Sequence, residues 1–121
     1  MNPAELFRQD DDPVNLARGE ALFQEGDVGD EMFVLIEGEM EIRVGDMVVE
    51  TAKSGALLGE MALIEKSPRT ATVLAKTPSR LARVSGRRFH YLVSQNPFFA
   101  SHVMKVLVDR LRQMNQRMTK S

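Results

Sequence analysis

The chain has 121 residues, a length that suits one domain built around one hydrophobic core. Apolar residues make up 43% and charged residues 27%, and a net charge of -1 supplies no basic field to draw the chain to nucleic acid or anionic lipid. There is no cysteine, which excludes disulfides, thiolate metal sites, iron–sulfur clusters and cysteine nucleophiles together.

Residues 1–14 read as an N-terminal tail or short helix, with only Leu6 and Phe7 to bury. Glu5, Asp10, Asp11 and Asp12 leave no room there for the apolar run of a signal peptide. The three aspartates read as a solvated stretch, with contact to a basic partner as the alternative. No segment approaches the roughly 20 apolar residues of a membrane helix, so a cytoplasmic protein with no membrane contact is expected.

The rest, 15–121, reads as one domain. From 15 to about 84, short apolar runs are broken by glycine and proline. Met32–Ile36 is a buried strand candidate, and Met40, Ile42 and Val44 alternate with charged residues as a half-buried strand does. Gly45-Asp46 turns this strand into Met47-Val48-Val49, forming a hairpin. Thr72–Ala75 and Leu81–Val84 add two strands separated by Pro78. Such spacing predicts an antiparallel, mainly β fold rather than a parallel sheet. Two helices then follow, over about 86–95 and 98–118. Ser85 is the N-cap of the first, which carries Phe89, Leu92 and Val93. Phe99, Val103, Leu107, Leu111, Met114 and Met118 give the second one apolar face.

Chemistry concentrates between residues 55 and 73. Gly59 permits a tight turn, and Met61 to Ile64 can form a helical turn behind it whose free amides favour an anion. Glu60 is a carboxylate among apolar neighbours and needs a donor. Pro68 stiffens the approach to Arg69, whose fork can bind a phosphate bidentately. Donors for a phosphate and an acceptor for a hydroxyl together suit a nucleotide. From spacing alone, Glu60 and Arg69 serve equally well as an internal salt bridge closing a surface loop.

Gly59-Glu60-Met61-Ala62-Leu63, followed after a four-residue gap by Pro68-Arg69-Thr70-Ala71-Thr72-Val73, resembles the cassette of cyclic-nucleotide-binding domains. These occur in catabolite-activator-like regulators, cyclic-nucleotide-dependent kinases and gated channels. Gly19–Phe23, Glu25-Gly26-Asp27, Gly29–Phe33 and Glu37–Met40 resemble the same family's β-roll, so the likeness covers about 16–112. The resemblance implies an antiparallel β-roll followed by two α-helices, and a non-catalytic sensor or regulatory domain without cofactor.

Carried over residue by residue, the resemblance gives Glu60 the ribose 2′-hydroxyl and Arg69 the phosphate oxygens. Gly59, Met61, Ala62, Thr70 and Ala71 contribute mainly backbone contacts, and Ile42, Val49 and Val73 wall the base. Leu58, where many relatives carry phenylalanine, implies a packing difference only. The expected ligand is cAMP, with cGMP the alternative, since a hydroxyl at Thr70 suits either. The second helix corresponds to the element that closes over the base. Leu107, Val108, Arg110 and Leu111 are the lid candidates, with solvation of the Arg110 charge preferred to stacking. Leu107, Leu111, Met114 and Met118 also fit a short homodimer seam. With no helix-turn-helix, kinase or channel segment in the sequence, a stand-alone sensor or an excised regulatory domain acting on an unknown effector protein is expected.

Two further classes compete. One is a β-roll whose pocket no longer works and which acts through protein contacts. The other is a cupin-like metal enzyme, disfavoured because His90 and His102 both fall in the helical region. Both read as surface or partly packed residues, and Arg87-Arg88 as helix-start decoration rather than a nucleic-acid contact.

Overall fold

The computed structural model describes residues 2–63 and 67–119. Among the described residues eight strands form two four-stranded antiparallel sheets. They are β1 (Val14–Leu16), β2 (Ala21–Phe23), β3 (Met32–Glu37), β4 (Met40–Val44), β5 (Met47–Ala52), β6 (Leu57–Leu58), β7 (Thr72–Ala75) and β8 (Ser79–Val84). The first sheet runs β1-β8-β3-β6 and the second β2-β7-β4-β5. Helices α1 (Gly86–Gln95) and α2 (Pro97–Thr119) complete the β-roll-and-helices architecture expected from the sequence. Pattern alone did not reveal β1, β2 and β6, which span three, three and two residues and are too short to display a period.

β3 explains the layering. Its successive residues face opposite ways, and Met32, Val34 and Ile36 enter one apolar cluster while Phe33 and Leu35 enter another. The second cluster fills the space between the sheets with Met40, Leu58, Val73 and Leu81. The first lies between the β3 sheet and the helices, with Phe7, Leu57, Val84, Phe99 and Val103. A strand buried on both faces reads as an unbroken apolar run, which is how Met32–Ile36 stands in the sequence.

The N-terminal segment is tied to this frame. Pro3–Phe7 is a 3₁₀ turn capped by Asn2, and Phe7 is fully buried edge-on to Phe99, their ring centres 6.3 Å apart. The aspartate run is not simply solvated: Asp10 accepts a hydrogen bond of 2.7 Å from Arg88, whose guanidinium also covers the Phe7 ring. Arg88 therefore does more than decorate α1, because it clamps the opening segment to it. Ser85 caps α1 through the Arg88 amide, as its position predicts.

Among the described side chains of α2, Phe99 and Val103 are buried, with Val106 and Leu107 partly buried against the same cluster. Leu111 is 59% exposed, so the apolar face predicted to continue through it does not. A helix turns about 100° per residue, so twelve residues carry Leu111 about 120° around from Phe99. Met114 and Met118 lie outside the described side chains. No helix among the described residues is long and apolar enough to cross a membrane.

Candidate ligand-binding site

A recess opens where the second sheet meets the segment after β6. It is partly open to solvent. The floor is apolar: Phe23, Ile42, Leu58 and Val73. Around it stand Gly59, Glu60, Met61, Ala62, Pro68, Arg69, Thr70 and Ala71, with Glu50 and Arg110 toward α2.

Arg69 is seated by its neighbours' lack of side chains. Its guanidinium lies over the Phe23 ring, 4.2 Å from the ring centre, and donates to the Glu31 carbonyl at 2.8 Å and the Gly59 carbonyl at 3.2 Å. A Cβ on Gly29 would stand 2.5 Å from its Nη2, and one on Gly59 would strike Nη1. Gly59 also holds φ at +73°, in the left-handed region that favours glycine. The Arg69 backbone is pinned as well, its amide donating to Asp27 O and its carbonyl accepting from Gly26 N, each at 2.8 Å. Burial pushes the guanidinium pKa down, while Glu31, Asp30 and Asp27 pull it back up. A guanidinium stays charged through such shifts, so a cation only 8% exposed faces the recess.

Glu60 opens a 3₁₀ turn over Glu60–Leu63 and is 4% exposed. The salt bridge with Arg69 that spacing allowed does not form. Glu60 is ion-paired instead with Arg110 of α2, which also donates to the Leu57 carbonyl at 3.1 Å. Neither Glu60 oxygen receives a well-directed hydrogen bond among the described residues. Among the described residues the recess thus holds a buried carboxylate ion-paired with Arg110 and a buried cation that donates to backbone carbonyls and forms no salt bridge. Such a pair can take a ligand that carries both a hydroxyl and an anion.

Gly59, Glu60, Met61, Ala62, Arg69, Thr70, Ala71, Ile42 and Val73 are brought together around this recess. Val49 is not, and the physical reason is a β-bulge. β5 pairs Val48 with Arg43 and Glu50 with Ile42, so Val49 is the extra, unpaired residue and Glu50 takes its place on the recess face. Of the lid candidates only Arg110 reaches the site. Leu107 packs into the core, whereas Val108 and Leu111 face outward, 45% and 59% exposed. Arg110 sits about 20° from Phe99 around the helix, on the face turned to the body of the molecule, so its charge is not simply solvated. Burial lowers its pKa and Glu50 raises it.

Phe23 and Glu50 were not foreseen as site residues. Phe23 lies in the glycine-flanked segment 19–23 but carries no polar signal, and Glu50 is hidden by the bulge. Among the described residues no three His, Cys, Asp or Glu side chains gather as metal ligands. His90 is exposed, and His102 is half-buried near Gly55, with burial lowering its pKa.

The family model of the cyclic nucleotide-binding domain matches residues 13–96. The chain is 37% identical over 98 residues to a cyclic nucleotide-gated potassium channel of Rhizobium etli, covering 81% of this chain and 27% of the channel. It is 36% identical over 101 residues to the Pycsar effector protein PaPycTIR of Pseudomonas aeruginosa, covering 83% and 33% respectively. The chain thus spans a third or less of these curated relatives. Among solved structures, one from work on a cyclic-GMP-dependent signalling pathway that regulates bacterial phytopathogenesis superposes with a TM-score of 0.75, at 28% identity and 90% coverage of each chain. The catabolite activator protein of Thermus thermophilus superposes with a TM-score of 0.77 over 88% of this chain and 53% of its own, a likeness of fold at 21% identity.

Proposed function

The chain belongs to the cyclic nucleotide-binding domain family, and we propose that its recess receives a cyclic nucleotide, making it a non-catalytic sensor or regulatory domain. The observation that carries this is the recess itself, where buried Arg69 and buried Glu60 face one space without pairing with each other. In this reading Arg69 and the amides opening the 3₁₀ turn hold the cyclic phosphate, because a planar charged fork and free N–H groups match its oxygens. Glu60 accepts the ribose 2′-hydroxyl, which supplies the directed donor its carboxylate lacks. The base lies on Ile42 and Val73. Gly59, Met61, Ala62, Thr70 and Ala71 shape the ribose and phosphate end.

The ligand must take over an acceptor that Arg110 now engages, so α2 senses occupancy through that ion pair. A ligand shifts α2 only by the difference in its affinity for the two arrangements. An effector reading α2 is the consequent output; for a homodimer through this helix Leu111 of the expected seam is exposed beside Met104 and Val108, Leu107 packs into the core, and Met114 and Met118 lie outside the described side chains.

cAMP is the expected ligand. cGMP is the second reading, supported by Thr70 at the recess and by the relative solved in work on cyclic-GMP signalling. Thermal unfolding with cAMP, cGMP and 2′-deoxy-cAMP tests the proposal. Ligand at about 100 times its Kd adds about 2.7 kcal/mol of stability, so a rise of several degrees is expected, smaller for the deoxy compound at equal concentration. No rise with either ribonucleotide at millimolar concentration would overturn the proposal.

A further inference from the structure

Four side chains that line the recess stand in one row across the second sheet. Phe23 on β2 pairs with Val73 on β7, Val73 with Ile42 on β4, and Ile42 with Glu50 on β5. Neighbouring strands lie roughly 4.8 Å apart, so the row runs about 14 Å. One end is marked by Arg69, lying over Phe23. The middle is apolar. The other end is Glu50, exposed at the rim.

The bulge in β5 sets this acid on the row. A regular ladder counted from Val44–Met47 and Arg43–Val48 would put Val49 opposite Ile42, leaving an apolar row to its end. With the extra residue, a carboxylate takes that position. Among the described residues the Glu50 side chain accepts no hydrogen bond; its charge acts on Arg110, which is itself engaged by Glu60 and the Leu57 carbonyl and leaves the Glu50 carboxylate open at the rim.

The row also orients the ligand, given the receptor reading on which this argument rests. With phosphate at Arg69 and ribose at Glu60, the base extends along Val73 and Ile42 and its far end meets Glu50. In a purine the 6-substituent lies at the end away from the sugar in either rotamer about the glycosidic bond. On that axis adenine carries an amino donor, whereas guanine and hypoxanthine carry an oxo acceptor, their N1–H donor lying to one side of it. An ionised carboxylate only accepts. We infer that Glu50 is a specificity-determining residue, accepting a hydrogen bond from the 6-amino group of a cyclic adenine nucleotide and opposing 6-oxo purines. Selection therefore includes a repulsive element as well as an attractive one.

Calorimetric titration of the wild-type chain and Glu50→Gln with cAMP, cIMP and cGMP tests this. cIMP shares the 6-oxo group of guanine but lacks its 2-amino group, so it separates the end read by Glu50 from any contact of Thr70. The wild type should bind cAMP about tenfold or more tighter than cIMP. In Glu50→Gln, whose amide both donates and accepts, the ratio should narrow to within about threefold. Equal wild-type affinities for cAMP and cIMP would overturn the inference, as would a ratio that the substitution leaves unaltered. Loss of affinity for all three in equal measure would also overturn it, since that marks an effect through Arg110. A folded wild type that binds none of the three would remove the receptor reading itself, and this inference with it.

Discussion

Arg69 owes its position to atoms that are missing beside it. Gly29 and Gly59 leave room for the guanidinium on either side, and Phe23 supports it from below. Gly29 has no positive φ, so alanine is acceptable to the backbone but not to Arg69. Gly29→Ala should therefore fold normally and bind cyclic nucleotide at least tenfold more weakly, measured by titration beside a melting curve. Residue types and spacing were enough to single out Glu60 and Arg69 in the sequence. They could not decide between a salt bridge and a ligand site, because that depends on where Arg110 goes, fifty positions downstream. Glu50 was illegible for another reason: a single bulge inverts the inward and outward alternation on which strand reading depends.

At the scale of elements, α2 reaches the recess through Arg110, and removing that side chain leaves Glu60 buried without its ion-pair partner. The cost of such a vacancy is about 1–3 kcal/mol, more when the group is charged. Arg110→Ala should lower the ligand-free melting temperature by several degrees, and bound cyclic nucleotide should recover part of the loss by giving Glu60 a hydroxyl partner. A second test lies at the start of α1: Ser85→Ala removes the cap on the Arg88 amide and should cost about 1 kcal/mol. The cap was readable in the sequence because capping chemistry is local. The reach of the α2 face was not, since spacings of four drift about 40° at each step. That drift takes Leu111 off the core, while Arg110, eleven residues from Phe99, returns to it.

The whole molecule is three layers: sheet, sheet, helices. Phe99 joins them at the helical side, edge-on to Phe7 at 6.3 Å and to Phe89 at 6.1 Å, so one ring ties the opening 3₁₀ turn to both helices. Phe99→Ala should cost about 3–5 kcal/mol and free the N-terminal segment to proteolysis. Class and architecture were legible because β3 and the Gly45-Asp46 hairpin carry strong local signals, whereas the tether of Asp10 to Arg88 joins residues too far apart for pattern to connect. The layering also bears on the central claim, since the recess lies between the second sheet and α2 and a ligand there must act on both. Calorimetric titration of cAMP into the wild-type chain and into Arg69→Ala tests that claim most directly. Micromolar or tighter binding is expected, falling by ten- to a hundredfold or more when the fork is removed, as charged hydrogen bonds of about 1.5–3 kcal/mol each require. Equal affinity in the two proteins would contradict it.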